Sequence, residues 1–289
     1  MILKNKYDVV FCNYAKIQGS YLAKFEGAKV VDIHDLQWTR IRNTLKIKKA
    51  PSVISSFKLW KFKRSEKSAL RKFDTIIAIS KSEMSGIKEL ACNQTDVRYL
   101  PATFDIKSVK QDLPEQICHD LLFVGSNSDP NRDGLIWFLD KIFRNILKHR
   151  PDTTLRIVGR ISSNEQVKPR MAAFSDRIMI EGFVEDIATV YHNSKVVICP
   201  ITYGTGMKIK TVEALTHSCA VVGTSIAFDS IDVKNGHDAF VEDDADSFCN
   251  GVLQLLSNSE LRNSMRERAK EVSRRDHSFE TAISVFGRI

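Results

Sequence analysis

The stretch from Lys195 to Thr224, KVVICPITYGTGMKIKTVEALTHSCAVVGT, limits what this chain can fold into more than any other part of it. Val196, Val197, Ile198 and Cys199 form a short apolar run closed by Pro200, which suits a buried strand. Gly204-Thr205-Gly206 follows, where the backbone can turn with positive φ and approach a ligand closely. Lys208 and Lys210 lead into a helical opening, Thr211-Val212-Glu213-Ala214-Leu215, which Ser218-Cys219 ends. Ala220-Val221-Val222 then returns as a second buried strand. Strand, turn, helix and strand make one parallel βαβ unit, with the glycine turn at the carboxyl end of its strand. Open α/β sheets bind ligands at that edge, where helix N-termini present free N–H groups. Two lysines beside the turn point to an anion, a diphosphate first of all, and Glu213 is placed to hold a hydroxyl pair on a ribose.

These residues resemble the donor-site signature of the family 4 (group 1) retaining glycosyltransferases. The family pattern is a Glu, seven residues and a second Glu followed by Ala. Glu213-Ala214 supplies the second acid, whereas Thr205 stands where the first would be. A subgroup reads Gly-x-Gly-x-Lys-x-Lys-x-x-Glu-Ala, and Gly204 to Ala214 fits that variant. The resemblance implies the α/β GT-B fold, two Rossmann-like parallel-sheet domains facing a cleft. It implies transfer of a sugar with retention from a nucleotide-diphospho-sugar to a glycan or lipid-linked acceptor, with no metal and no cofactor. Glu213 would hold the ribose and Lys208 and Lys210 the leaving diphosphate, with Gly204, Thr205, Gly206, Met207, Ile209 and Thr211 lining the donor.

Composition agrees with a water-soluble globular chain. At 289 residues there is room for two domains, 43% of the residues are hydrophobic, and no stretch approaches the roughly 20 apolar residues that span a bilayer. The N-terminal MILKNKYDVVF lacks the apolar core and cleavage site of a secretory leader. Six scattered cysteines without a Cys-x-x-Cys pair argue for reduced thiols in a cytoplasm, against both disulfides and a zinc site. Net charge is +8, but residues 1–110 hold 22 Lys/Arg against 10 Asp/Glu, so the N-terminal half is the one that expects an acidic partner.

Taken in order, YDVVFC (7–12) and AKVVDI (28–33) read as buried strands with a helix around Ile17–Phe25 between them. His34 follows the second strand. By resemblance it contacts the donor sugar; the alternative is a histidine satisfied by a nearby carbonyl. Residues 40–72 hold twelve basic residues and one acid, Glu66, interleaved with Phe57, Trp60 and Phe62. Such a segment, with Lys58, Trp60, Lys61, Lys63 and Arg64 at its centre, can lie on an anionic membrane or meet a lipid-linked acceptor. The alternative is a helix that packs Phe57 and Trp60 into its own domain. No nucleic-acid-reading motif accompanies this charge. FDTIIAIS (73–80) is a third strand, with Ser80 or Ser82 capping the next helix, and 97–101 a short fourth.

A linker over 101–114 leads to a second domain whose first strand, DLLFVG, ends at Gly125. Ser126 to Arg132 forms its first cleft loop, and a long amphipathic helix follows with Asn131 or Asp133 near its cap. The family usually has an Arg after this glycine; here Ser126 stands there and Arg132 is the loop's cation. LRIVG (155–159) and RIMIEG (177–182) are further strands. Gly182, Phe183 and Val184 resemble the family loop that holds the nucleobase. A short strand at 238–241 and helices at 245–256 and 260–273 close the domain. The expected organisation is a partial acceptor-side domain at 1–112, a nucleotide-sugar domain at 113–276, and a tail at 277–289 that packs back on the first. The first domain counts four strands, about three fewer than the family's, so a nucleotide-sugar binder without turnover is the second reading and an epimerase the third. The expected setting is the cytoplasm, with the inner membrane face as a possible peripheral site.

Overall fold

The computed structural model describes residues 7–15, 22, 25–47, 52–106 and 119–287. Most of the helix expected around Ile17–Phe25 and most of the 101–114 linker lie outside them, as does Cys118. Two compact units emerge: Met1–Ala102 with Gly204–Met207 and Ile283–Ile289, and Thr103–Tyr203 with Lys208–Ala282.

The first unit carries a four-stranded parallel sheet in chain order: β1 (Val9–Asn13), β2 (Ala28–Ile33), β3 (Thr75–Ala78) and β4 (Asp96–Tyr99). Val31, Ile33, Ile76 and Ala78 meet Leu36, Leu70, Ile87 and Leu90 in its core. Helices α1 (Gln37–Ile47), α2 (Ser52–Leu70) and α3 (Met84–Leu90) accompany the sheet. Glu66, the one acid of the basic segment, is buried and accepts the amides of Gln37 and Trp38 at 2.9 and 3.1 Å. Glu83 accepts that of Leu36 at 3.1 Å. Two carboxylates thus satisfy the orphan donors at the start of α1 and favour its dipole, which fixes the turn leaving β2. Ser80 precedes a 3₁₀ turn (Lys81–Glu83), but its hydroxyl bonds Ser82 Oγ at 2.8 Å and caps no amide. Residues 283–289 group with this unit, where Arg98 donates to the carbonyl of Val285 at 2.8 Å and the Phe286 ring lies 6.1 Å from Phe11.

The second unit carries six parallel strands in the order β10-β9-β8-β5-β6-β7. These are β5 (His119–Val124), β6 (Leu155–Val158), β7 (Ile178–Glu181), β8 (Ser194–Cys199), β9 (Ala220–Gly223) and β10 (Phe240–Val241). The chain starts at β5, builds outward to β7, then returns to the other side of β5 as β8. The order therefore reverses between β5 and β8, the switch point at which open parallel sheets form a crevice at their carboxyl edge.

The long helix after β5 begins at Asp129, ahead of the expected caps, with Ser128 at the N-cap and Pro130 in its first turn, where proline's fixed φ fits and its missing N–H costs nothing. α4 (Asp129–Trp137) runs through a π-helical stretch (Phe138–Phe143) into α5 (Arg144–His149). Phe138, Leu139, Ile142 and Phe143 are all fully buried against the sheet and Phe248. α6 (Lys168–Ala172), α7 (Ile187–His192), α8 (Ile209–Thr216), α9 (Ala245–Ser257), α10 (Ser259–Asp276) and α11 (Phe279–Phe286) complete the helices described.

α4 meets the end of β8 at Gly134, where a Cβ would stand 2.2 Å from the carbonyl oxygen of Pro200. Alanine is the better helix former by about 1 kcal/mol, so a loss of stability isolates the steric effect. Gly134→Ala is expected to destabilise the chain by about 1–3 kcal/mol in denaturant unfolding; a neutral or stabilised variant would show that this contact is loose.

Candidate functional site

At the switch point the loops after β5 and β8 are tied together. Arg132 donates to Asp129 and to Asp133, each at 2.7 Å, and Tyr203 from the β8 loop donates to Asp133 at 2.5 Å. The flanking carboxylates raise the Arg132 pKa, and burial raises that of Tyr203, with Asp133 adding to it, so the guanidinium stays charged and the phenol neutral. Asp133 titrates below the ordinary carboxylate range: burial opposes this, but hydrogen bonds from Arg132 and Tyr203 outweigh it. One cation between two carboxylates leaves the group net negative. Arg132 thus braces the loop through both carboxylates. Asn131 likewise does not cap the helix; its amide donates to the Ser126 carbonyl and hydroxyl at 3.0 and 3.2 Å, shaping the loop after Gly125.

In the loop after β8, Gly204 and Gly206 take φ of 130° and 72°. Both values are open to glycine and strained for other residues. This turn belongs to the first unit, and a Cβ on Gly206 would lie 2.7 Å from the carbonyl oxygen of His34. Met207 is buried and Ile209 exposed. Lys208 stands at the N-cap of α8, whose first amides lack intrahelical partners.

Glu213 lies one turn into α8, and its side chain is 14% exposed. Its Oε2 accepts two hydrogen bonds of 2.7 Å, one from Lys210 Nζ and one from the hydroxyl of Tyr191. Lys210 is thus paired with Glu213 in this structure. Thr211 is buried against the thiol of Cys199, whose pKa burial pushes up to about 11.

His34, at the carboxyl end of β2, is held by Asp32 at 3.0 Å through Nε2, with the Tyr14 hydroxyl 3.4 Å from Nδ1. The hydrogen bond that His34 donates to Asp32 raises the His34 pKa, burial opposes it, and the Asp32 and Asp35 charges add to the rise. Of the remaining expected site residues, Gly182, Phe183 and Val184 follow β7, two strands from the switch point. Phe183 is 89% exposed, and the carbonyl of Gly182 accepts the Gly159 amide at 2.9 Å.

Lys58, Trp60, Lys61, Lys63 and Arg64 lie on α2. Phe57 and Trp60 are not packed into the unit: they stack on each other at 6.1 Å and are 66% and 56% exposed. Beside them a groove of about 630 Å³ is lined by Trp60, Lys63, Arg64, Lys67, Ser68, Arg71 and Glu89. Among the described residues no group of three His, Cys, Asp or Glu is arranged to hold a metal ion, and no helix is long and apolar enough to cross a membrane.

Sequence reasoning did not single out Tyr14, Asp32, Tyr191 or Tyr203, and took Asp133 only as a residue near the helix cap. Each acts on a residue distant in sequence or lies inside an ordinary strand or helix pattern, so nothing local marks it.

The comparisons with known proteins fall on this geometry. Residues 118–258 match the family model of the Glycosyl transferases, group 1. The two parallel sheets have the GT-B fold. TarM superposes with a TM-score of 0.77 at 13% identity, over 97% of this chain and 54% of its own. HepE of Anabaena, solved in complex with UDP-glucose, gives 0.75 at 16% identity over 98% and 78%. Among curated proteins, the uncharacterized 44.6 kDa protein in the cps region of Klebsiella pneumoniae is 24% identical over 273 residues, 89% of this chain and 67% of that protein. The chain spans about half the length of TarM.

A raised histidine pKa stabilises the fold most below the ordinary value of 6.5, and that contribution fades as pH rises through the raised value. Asp32→Asn is expected to bring the His34 titration, followed by NMR, back toward 6.5 or below it. An unchanged titration would exclude Asp32 as the cause.

Proposed function

We propose that this chain is a glycosyltransferase that takes a sugar from a nucleotide-diphospho-sugar. The observation that carries the reading is the β5/β8 switch point, where Lys208 stands at the N-terminus of α8 and Glu213 lies one turn into the same helix. Lys208 and the first amides of α8 hold the diphosphate, where negative charge grows as the glycosidic bond breaks. Glu213 accepts from the ribose, and Gly125, Ser126 and the 182–184 loop border the nucleoside; on the family resemblance, His34 is the residue for the donor sugar. HepE has been solved in complex with UDP-glucose, which favours UDP as the first nucleotide to try.

Transfer proceeds with retention and without a metal in this reading. The bond from the anomeric carbon to the diphosphate oxygen breaks and that to the acceptor oxygen forms on the same face. The acceptor's proton passes to the leaving phosphate. The acceptor is a glycan or a lipid-linked sugar, and the exposed aromatic pair and cations of α2 meet it or an anionic membrane at the cytoplasmic side.

Calorimetric titration with UDP, GDP and their sugar conjugates tests the donor site. One nucleotide is expected to bind, with Glu213→Ala weakening it at least tenfold and Lys208→Ala weakening the diphosphate more than the monophosphate. A folded chain that binds none of them contradicts the proposal. Binding without hydrolysis or transfer of the donor sugar would point to the second reading, a nucleotide-sugar binder.

A further inference from the structure

Tyr191 is buried to 1% on α7, and its hydroxyl ends 2.7 Å from Glu213 on another helix. A buried hydroxyl requires a partner, and this one finds a charged acceptor. The ring is fixed on both sides of that bond. It stacks on His217 at 4.9 Å and 15°, and His217 in turn packs edge-on to His192 at 6.4 Å. Burial, then the charge of Glu213, keeps the phenol's pKa well above 10, so it remains a donor. Burial also lowers the His217 pKa, which keeps the stacked imidazole neutral near pH 7.

The division of labour within the carboxylate is the informative part. Oε2 receives both the Tyr191 hydroxyl and the Lys210 ammonium, whereas Oε1 has no hydrogen bond among the described residues. With Oε2 saturated, the carboxylate plane is set and Oε1 is the oxygen left to accept from a ligand. Lys210 is 48% exposed on a flexible stem and can leave when an anion arrives; Tyr191 cannot.

We infer that Tyr191 is the positioning residue of the donor site, orienting Glu213 so that Oε1 accepts from a ribose hydroxyl. The inference rests on the donor-site reading above and assigns Tyr191 no contact with the ligand. Its effect must therefore pass through the ribose hydroxyls. A residue that merely stabilises the fold would weaken every nucleotide alike.

The test is a cycle between protein and ligand. Wild type, Tyr191→Phe and Glu213→Gln are titrated calorimetrically with UDP and GDP, each beside its 2′,3′-dideoxy form. Phenylalanine keeps the ring on His217, and the stoichiometry of each titration reports the folded fraction. Tyr191→Phe is expected to raise the Kd of the nucleotide that binds about five- to tenfold, one hydrogen bond's worth, and to leave the Kd of the dideoxy form within about twofold. Glu213→Gln, which keeps the side chain's shape, is expected to lose the same discrimination and carries the test if Tyr191→Phe does not fold. Equal losses with the hydroxylated and dideoxy forms, or discrimination as in wild type, overturn the inference while leaving the donor site standing. Wild type that binds neither nucleotide overturns the donor-site reading and this inference with it.

Discussion

Gly134 lies so close to the end of β8 that its missing side chain is a condition of the second unit's architecture. The contact seats α4 against Pro200 and so brings together the two loops that leave β5 and β8. Parallel strands require crossover helices, which put every strand-to-helix loop at one edge of the sheet. The reversal of strand order between β5 and β8 then opens that edge at one place. The Asp129–Arg132–Asp133–Tyr203 chain of hydrogen bonds is the polar counterpart of the glycine contact, closing the same two loops over the core.

Charge at this edge is arranged in pairs, and the pairing separates residues that hold the site from those that face a ligand. Arg132 and Lys210 are both committed to carboxylates, at 2.7 Å in each case. Partly buried carboxylates are costly unless donors surround them, and here each has a phenol as well as a cation. In the proposed reading, a diphosphate at this edge is held by Lys208 and the first amides of α8. The first unit repeats the logic at its own strand ends. Glu66 and Glu83 hold the start of α1, and Asp32 holds His34, so the β2 turn is fixed from below.

Much of the architecture was legible in the sequence because parallel strands buried on both faces read as continuous apolar runs. VVIC, AVV, LRIV and TIIA announce themselves, and glycine and lysine positions locate the turn between them. The helix around 129–149 was legible in its apolar face, but its start was not, since Ser128-Asp129-Pro130 looks like loop until Pro130 is recognised as a first-turn residue. The partners of the site residues were hidden for a different reason. Tyr191 precedes Glu213 by 22 positions and Tyr203 follows Asp133 by 70, so only the sheet order brings them together. Side-chain pairing likewise was not legible: Lys210 is one helical turn from Glu213 and pairs with it, a contact the sequence spacing permits but does not announce.

The central claim is that a nucleoside diphosphate lies across the loops at the β5/β8 switch point. Hydrogen–deuterium exchange of the intact chain with and without UDP-glucose at saturating concentration reads that claim directly, because bound ligand slows amide exchange only where it contacts or orders the backbone. The account predicts slowed exchange in residues 125–133 and 204–213, with the 182–186 loop following. Slowed exchange confined to another surface, such as the groove between residues 232–238 and Arg268–Arg275, would contradict it.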